Sequence, residues 1–269
     1  MAYLDLNNVS FTYPDGTRAL RELTLSIEKG EKVAFLGENG SGKSTLFLLL
    51  SGLLKADKGI YSYDGKKVQT GKVGLTFQNP EVQLFAPTVY QEISYGPVNM
   101  GLSTDEIKRR INHSMERTGI SSLKDRPIQY LSYGQKKKVA IADILAMGTD
   151  VFILDEPFAW LDRKGMHEMN TILEELSKLE KTVLIATHNP DFAWFWADKV
   201  VLFKSGEILA CGTPEEIFYD ESLLDAASIN QPEVIRIARA LNIGGPLPGH
   251  IDQLLEILSQ KESIIYERS

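Results

Sequence analysis

The segment Gly37-Glu-Asn-Gly-Ser-Gly-Lys-Ser44 has the spacing G-x-x-x-x-G-K-[ST], a combination of residues suited to holding phosphate. Glycines let successive backbone N–H groups turn toward phosphate oxygens, while the lysine reaches the β- and γ-phosphates. The serine hydroxyl is a ligand for Mg²⁺. The segment predicts a site for a nucleoside triphosphate and Mg²⁺, formed by Gly37, Asn39, Gly40, Ser41, Gly42, Lys43, Ser44 and Thr45.

The elements predicted on either side of this segment suit a phosphate site. Residues 31–36 form an apolar run typical of a buried strand, and residues 45–52 have the pattern of a helix. Phosphate groups bind well at a helix N-terminus, because free N–H groups and the helix dipole both favour an anion there. A glycine-rich turn that matched this spacing by chance would not be expected between a buried strand and a helix.

A second segment, Val151-Phe-Ile-Leu-Asp155-Glu156, places two carboxylates at the end of an apolar strand. Ligands of open α/β sheets collect at the carboxyl ends of the strands. Asp155 would hold Mg²⁺, directly or through water, and Glu156 would orient and polarise an attacking water. The alternative is a strand that ends in two solvated acids, which the presence of the phosphate segment disfavours.

The composition narrows the classes of function. The chain has 269 residues, 43% of them apolar, enough for one large domain or for one domain with a small appendage. Its formal net charge of −7 argues against nonspecific binding to nucleic acid. The only cysteine is Cys211, so no intramolecular disulfide can form, as is typical of a reducing cytoplasm.

The sequence shows no segment expected to cross a membrane. No apolar run approaches the roughly 20 residues that span a bilayer, and the start Met-Ala-Tyr-Leu-Asp-Leu lacks the features of a signal peptide. We therefore expect a soluble chain that acts at a membrane only through a partner.

The apolar patterns predict a mostly parallel α/β sheet, because short apolar strands alternate with helices. Strands are predicted at 2–11, 16–27, 31–36, 59–63, 72–77, 151–154, 182–187, 200–203 and 207–210, with Val68 as further strand material and a hairpin turn at Ser205-Gly206. Helices are predicted at 45–52, 134–147, from 214 onward, at 232–241 and at 251–258, with a turn at 244–249.

Residues 88–126 have a helical pattern that differs in character from the rest of the chain. Pro97, Gly101 and Gly119 are the expected breaks in it. Ser103 is a predicted N-cap, and Glu106 three residues later would complete a capping box.

The segment Leu131-Ser-Tyr-Gly-Gln135 lies 20 residues before Asp155 and opens a predicted helix. With it, the chain resembles the nucleotide-binding subunit of the ATP-binding-cassette (ABC) family, whose signature is usually Leu-Ser-Gly-Gly-Gln. The resemblance covers about residues 3–220 and includes every motif in the family's order. It implies an ABC-type P-loop NTPase with a mixed, mainly parallel core sheet, an antiparallel β-subdomain, a helical subdomain at about 88–148 and a small C-terminal extension. We expect the ATPase domain at 1–228 and the extension at 229–269.

The resemblance also implies roles in binding and hydrolysing ATP. Tyr13 is similar to the aromatic residue that stacks on adenine, and Phe11 is a competing candidate expected to point to the opposite face. Gln78 resembles the glutamine that ligates magnesium and water, with Gln83 as an alternative in poorer register. His188, after a predicted core strand, resembles the switch histidine that contacts the γ-phosphate. The implied catalytic residues are thus Glu156, His188 and Gln78, and the implied magnesium ligands are Ser44, Gln78 and Asp155.

In that family, two ATPase subunits sandwich two ATP molecules head to tail, so each site needs both subunits. Ser132 as N-cap, with free N–H groups at Gly134 and Gln135, would form a helix start that faces the partner's γ-phosphate. The alternative is an ordinary capped helix. Asp162 resembles the family's aspartate loop at the dimer interface, where Phe158 and Trp160 replace smaller residues.

Two features near the signature invite further interpretation. Tyr133 stands where the family usually has glycine and could reshape the contact with nucleotide or partner. The basic run Lys136-Lys-Lys138 is predicted to form a solvated helix face, with long-range attraction for phosphate as the lesser alternative.

Residues 77–88 and 95–102 resemble one branch of the family, the ATPases of energy-coupling-factor transporters, especially the cobalt and nickel type. The resemblance implies a transmembrane coupling subunit that docks near Gln78–Phe85, in a groove of Glu81, Gln83, Leu84 and Phe85, and a separate membrane subunit that binds the transported substance. Gln91 and Ser94 depart from the acidic residues expected in this branch. The ATPase would lie at the cytoplasmic face of the cell membrane as a peripheral protein.

Three other functions compete with this interpretation. The chain could be a soluble cassette ATPase of translation or DNA maintenance, although such proteins usually carry tandem cassettes or long coiled coils. It could serve another transporter branch. A nucleotide sensor without catalysis is disfavoured because Glu156 and His188 are both present.

Overall fold

The computed structural model describes residues 3–67, 71–243 and 247–266. The predicted strand residue Val68 and the first part of the predicted turn at 244–249 lie outside the described residues. Ala2, the first residue of the first predicted strand, lies outside them as well.

The described chain alternates strands and helices along most of its length. The strands are β1 Leu4–Thr12, β2 Arg18–Ile27, β3 Lys32–Leu36, β4 Lys58–Tyr63, β5 Lys66–Lys67, β6 Val73–Thr76, β7 Val151–Asp155, β8 Thr182–Ala186, β9 Lys199–Lys204 and β10 Glu207–Gly212. The helices are α1 Lys43–Leu50, α2 Val89–Asn99, α3 Thr104–Arg117, α4 Tyr133–Met147, α5 Arg163–Lys178, α6 Pro190–Trp196, α7 Pro214–Phe218, α8 Glu221–Ala227, α9 Glu233–Ala240 and α10 Ile251–Tyr266. Short 3₁₀ turns occupy Pro80–Val82, Ser121–Leu123 and Ile128–Tyr130.

The core sheet has the strand order β10-β9-β3-β8-β7-β6. All its neighbours pair in parallel except β10, which runs antiparallel to β9. Strand β8 is buried along its whole length and β7 up to Asp155, as expected of strands covered by helices on both faces. The predicted mixed, mainly parallel sheet is thus confirmed.

A second sheet, with the order β2-β1-β4-β5, is antiparallel throughout. Its inward side chains share one apolar cluster with α1 and β3, in which Leu6 and Leu25 join Phe35 and Phe47. The packing places α1, and the loop that precedes it, between the two sheets. The predicted antiparallel sheet is confirmed.

Helices α2, α3 and α4 pack around a cluster of their own that includes Val89, Ile111 and Val139. The helical pattern predicted up to residue 126 ends at Arg117, and two 3₁₀ turns follow. The predicted break at Pro97 is wrong, because α2 continues through it to Asn99. Pro97 lies in the last turn of α2, where little helix remains for its ring to disrupt.

The capping box predicted for α3 is only half present. The Ser103 side chain accepts a hydrogen bond from the Glu106 backbone N–H, so Ser103 is the N-cap. The Glu106 carboxylate instead binds Arg109 and Arg110. Two guanidinium groups within one helical turn offer this carboxylate stronger, charge-assisted bonds than the N-cap N–H would.

The C-terminal helices pack against the core sheet. Val234 and Ala238 of α9 and Leu254 of α10 are buried in one cluster with Leu36 and Val200 of the sheet. Among the described residues, no helix is both long enough and apolar enough to cross a membrane.

Candidate functional site

The loop between β3 and α1 encloses the amino group of Lys43. Its Nζ donates hydrogen bonds to the carbonyl oxygens of Gly37 and Glu38, at 2.8 and 2.9 Å, and to the Ser41 hydroxyl at 3.2 Å. Burial lowers the pKa of Lys43, and the nearby carboxylates of Asp155 and Glu156 oppose this shift. The three hydrogen bonds hold the amino group close to the N-terminus of α1.

Gly42 is required by the shape of this loop. Its φ of +113° favours glycine, and a Cβ at this position would approach the Ala19 carbonyl oxygen to 2.6 Å. Gly42 is also the N-cap of α1 and has no side chain to cap the helix. The first N–H groups of α1 thus remain suited to an anionic ligand.

Ser44 and Asp155 meet at the floor of the site. The Ser44 hydroxyl donates to Asp155 Oδ2 at 2.9 Å, and Asp155 ends β7 beside α1. Burial raises the pKa of Asp155, while the Ser44 hydrogen bond and the Lys43 charge act in the opposite direction. Hydroxyl and carboxylate oxygens are ligands that Mg²⁺ prefers, so this donor pair fits the predicted magnesium site.

Glu156 follows Asp155 with a backbone φ of 47°, in the left-handed region. Its Oε1 is buried and has no hydrogen-bond partner among the described residues. Burial, and secondarily the negative charge of Asp155, raises the pKa of Glu156 to about 7. A carboxylate oxygen without a partner is available to a water or substrate in the cleft.

His188, beyond the end of β8, lies against the same carboxylate. Its Nε2 is 2.9 Å from Asn39 Oδ1 and 3.5 Å from Glu156 Oε1. Burial lowers the pKa of His188, and the positive charge of Lys43 lowers it further. The hydrogen bond to Asn39 joins the imidazole to the phosphate-binding loop.

These side chains line one cleft of about 400 Å³. It brings together nearly every predicted site residue that this subunit would supply to its own nucleotide: Tyr13, Asn39, Gly40, Gly42, Lys43, Ser44, Thr45, Gln78, Asp155, Glu156 and His188. Ser41 is buried in the same loop, where its hydroxyl contacts Lys43. Gly37 starts the loop, and a Cβ there would come within 2.1 Å of the Phe203 carbonyl oxygen.

Tyr13 lies at one end of the cleft. Its hydroxyl is 3.1 Å from the Thr45 hydroxyl, and its ring meets the Phe11 ring edge to face with centroids 5.0 Å apart. The expectation that Phe11 points to the opposite face is wrong, because the Phe11 and Tyr13 rings contact each other. Phe11 is buried in the core, whereas Tyr13 lines the cleft.

Of the two candidate glutamines, Gln78 and Gln83, only Gln78 lines the cleft. Gln78 lines the cleft, and its backbone oxygen accepts a hydrogen bond of 2.8 Å from the Tyr133 hydroxyl. The Gln83 side chain turns back to the Phe77 N–H, at 3.4 Å. Gln83 therefore supports the loop after β6 and does not line the cleft.

The predicted signature residues Ser132, Gly134 and Gln135 do not line the cleft. They begin α4, with a complete capping box in which Gln135 N–H donates to Ser132 Oγ and Ser132 N–H donates to Gln135 Oε1. The expectation of a free N–H at Gln135 is therefore wrong, because the Ser132 hydroxyl accepts it. Asp162 likewise caps α5 through its bond from the Gly165 N–H.

The basic run does not form the predicted solvated face. Lys136 pairs with Glu81 and Lys138 with Glu168, while Lys137 is only 5% exposed. Burial lowers the pKa of Lys137 to about 8, and Glu156 and Asp155 partly offset this. The sequence pattern of three lysines does not reveal that each contacts a different neighbouring segment.

The remaining lining residues are Thr17, Arg18, Ala19, Arg21, Ser205 and Gly206. Sequence reasoning did not place them in the site. They come from the start of β2 and from the turn between β9 and β10, which the two sheets bring together. Only the hairpin turn at Ser205-Gly206 carried a local signal.

A parallel sheet with a phosphate-binding loop after β3 and strand-end carboxylates at β7 defines a P-loop nucleotide-binding protein. Residues 20–159 match the family model described as "ABC transporter". The chain belongs to the ABC transporter family of ATPases, and its nucleotide is ATP.

Similar proteins support this assignment across nearly the whole chain. The chain is 42% identical over 251 residues to the "Energy-coupling factor transporter ATP-binding protein EcfA" of Methanothermobacter thermautotrophicus, covering 90% of this chain and 81% of that protein. It is 41% identical to a "Putative ABC transporter ATP-binding protein" of Methanosarcina mazei, covering 96% of this chain but spanning only 60% of that longer protein.

Among solved structures, cbiO1 from Clostridium perfringens, described as part of the ABC transporter complex cbiONQ, has a TM-score of 0.75 and 39% identity. The match covers 90% of this chain and 99% of that one. The ABC-type fold expected from the sequence is thus confirmed.

Proposed function

We propose that this chain is the ATPase subunit of an energy-coupling-factor transporter that takes up a micronutrient, either a cobalt or nickel ion or a vitamin. The observation that carries the proposal is the Glu156 carboxylate, whose buried Oε1 accepts no hydrogen bond from the described residues and lies in one cleft with Lys43, Ser44 and His188. The names printed for similar proteins support the choice of transporter branch.

Within the cleft, each side chain has a distinct task. Lys43 and the N–H groups of the loop bind the β- and γ-phosphates, and the Tyr13 ring stacks on adenine. Ser44, Asp155 and Gln78 hold Mg²⁺, which supplies positive charge at the phosphate oxygens when bound. Glu156 orients the attacking water and accepts its proton, while His188, positioned by Asn39, contacts the γ-phosphate.

A second ATPase subunit completes each site. Ser132, Gly134 and Gln135 lie outside the cleft of their own subunit, which is the arrangement expected if they contact nucleotide held by a partner. The partner is either a second copy of this chain or a paralogue. ATP binding closes the dimer and hydrolysis reopens it, and this movement drives the membrane subunits.

The coupling subunit docks beside the loop after β6. Val82, Phe85 and Tyr95 form an apolar patch there, with Val82 71% and Phe85 66% exposed. Leu84, expected in this groove from the sequence, is instead buried in the helical cluster with Val89. The Glu81 carboxylate at the edge of the patch is exposed but already ion-paired with Lys136, so the apolar side chains would provide most of the attraction for an amphipathic helix.

The transported substance is bound by a separate membrane subunit, and the ATPase lies at the cytoplasmic face of the membrane as a peripheral protein. We also propose that the ATPase domain comprises residues 1–228 and that the C-terminal extension comprises residues 229–269.

Copurification of the tagged chain from membranes of its native host tests this function. We expect membrane subunits in the complex and ATP-dependent uptake of cobalt, nickel or a vitamin after reconstitution into vesicles. A chain that hydrolyses ATP at full rate without membrane partners, and copurifies with ribosomal or DNA-bound proteins, would instead be a soluble cassette ATPase.

A further inference from the structure

Lys137 connects the start of α4 to the segment that carries Glu156. It follows Gln135 by two residues, and its Nζ donates hydrogen bonds to the carbonyl oxygens of Glu156, at 2.6 Å, and Pro157, at 3.1 Å. The amino group also lies 5.5 Å from the centre of the Tyr133 ring, which covers it. Its partners are thus the backbone of the catalytic segment and one aromatic face.

The segment bound by Lys137 has an unfavourable backbone. Glu156 and Trp160 both have φ in the left-handed region, at 47° and 60°. Left-handed conformations cost non-glycine residues free energy and persist only where surrounding contacts enforce them. The turn is also held by backbone hydrogen bonds, from the Glu156 N–H to Ala186 and from the Ala159 N–H to the Glu156 carbonyl oxygen. Lys137 adds a charged side-chain donor to that same carbonyl oxygen.

A buried ammonium group is itself costly, since it loses its hydration. An apolar side chain of similar length would avoid that cost but would leave the Glu156 and Pro157 carbonyl oxygens without the charged donor. We therefore interpret the buried Lys137 as a residue that holds the turn in place and not only as one that fills space.

We propose that Lys137 is a positioning residue that ties Glu156 to the start of α4, so that nucleotide contact at Ser132–Gln135 sets the position of Glu156 in the same subunit. This inference rests on the proposed dimer. Because Ser132–Gln135 would contact ATP in one site while Glu156 acts in the other, Lys137 couples the two sites of the dimer.

The test compares Lys137→Met with Lys138→Met in the full-length chain. Both substitutions remove an amine from the same helix, but Lys138 pairs with Glu168 and does not touch the catalytic segment. We expect Lys137→Met to lower kcat roughly 10- to 100-fold, the range for a misplaced catalytic group, and to leave ATP affinity within about 2-fold. Lys138→Met should retain its turnover.

A double-mutant cycle with Glu156→Gln separates positioning from a general structural role. If Lys137 acts through Glu156, adding Lys137→Met to Glu156→Gln causes no further loss in single-turnover hydrolysis. Losses that multiply would overturn the inference. If Lys137→Met does not fold, as judged by thermal unfolding, Lys137→Gln keeps one N–H donor and serves in the same cycle.

ATP-dependent dimerisation of the Glu156→Gln variant distinguishes the inference from the function on which it rests. If sizing with ATP and Mg²⁺ shows no dimer, the proposed composite sites are wrong and the coupling between them is wrong too. A dimer combined with multiplying losses overturns the role of Lys137 alone.

Discussion

Glu156 illustrates how single residues in this cleft depend on their surroundings. Asp155 and Glu156 are adjacent in sequence but have different partners. Asp155 accepts a hydrogen bond from the Ser44 hydroxyl, whereas Glu156 Oε1 accepts no hydrogen bond from the residues that the structure describes. The left-handed φ of Glu156 turns the chain at that point. Two carboxylates with the same formal charge therefore suit different tasks, metal binding and activation of water.

Replacing Glu156 with glutamine should preserve ATP binding and reduce turnover by roughly 100-fold or more, as is typical for loss of a positioned base. The amide keeps the size of the side chain but cannot accept the proton. Turnover of the reconstituted complex and binding of a fluorescent ATP analogue measure the two effects. Undiminished turnover would exclude Glu156 as the base.

Asp143 in α4 should make stability depend on pH. Its Oδ1 is buried and has no hydrogen-bond partner among the described residues, and burial together with the charge of Glu92 raises the pKa of Asp143 well above the usual value. Because the folded-state pKa exceeds the unfolded one, the resulting stability is present below about pH 4 and lost as pH rises toward the folded-state pKa.

Asp143→Asn should therefore stabilise the protein more at pH 8 than at pH 5, because the amide cannot ionise in this buried position. Urea unfolding at pH 5 and pH 8 measures the change, and exposed Asp125→Asn is the matched control. A stability difference that is equal at both pH values would contradict the assignment.

At the scale of elements, the start of α4 is a junction. Tyr133 donates to the Gln78 backbone and packs edge to face on Trp160, with ring centroids 5.2 Å apart. Lys136 pairs with Glu81 in the loop after β6. Tyr133, the residue that departs from the usual family signature, thus links the start of α4 to two loops of the same subunit.

Tyr133→Phe should lower the free energy of unfolding by about 1 kcal/mol, the typical net value of one hydrogen bond. The ring contact with Trp160 is retained, so the effect isolates the hydroxyl. Tyr130→Phe is the control, because the exposed Tyr130 hydroxyl makes no hydrogen bond to the residues that the structure describes. Equal stability of the Tyr133→Phe variant and the parent would show that the bond to Gln78 contributes nothing.

At the scale of the whole molecule, the cleft and the proposed docking patch lie on connected but distinct surfaces. The loop after β6 begins with Gln78 in the cleft and reaches Phe85 on the exposed patch, where the Phe85 and Tyr95 rings are 4.9 Å apart. Glu92 accepts the N–H groups of Phe85 and Ala86 and so anchors the far end of this loop. A partner on the patch can thereby influence the cleft.

Phe85→Asp should abolish copurification with the membrane subunits, because it places a charge in the exposed apolar patch. ATP binding by the isolated chain should change less than about 2-fold, because Phe85 lies outside the cleft. Ile60→Asp, at a residue 75% exposed on the antiparallel sheet, is the control and should leave the complex intact. Retention of the complex by Phe85→Asp would place the docking surface elsewhere.

Much of the fold was accessible from local patterns. The core strands, the helix after the phosphate segment and the helices within the region predicted at 88–126 followed from apolar periodicity and glycine positions. The errors came from competition between contacts. Glu106 bonds to Arg109 and Arg110, the Gln135 N–H bonds to Ser132, and Lys137 is buried, each through partners that a periodicity does not reveal.

The sequence by itself determined the ligand class, because backbone N–H groups, a lysine and a serine in one short segment bind phosphate wherever a strand and helix flank them. Only the tertiary structure decided which residues distant in sequence share the cleft and which bind elsewhere. Arg18 enters it while Gln135 does not, and Lys137 reaches the carbonyl oxygen of Glu156, 19 residues away. Such contacts depend on how two sheets and a helical cluster pack, and packing sums many weak interactions across the chain.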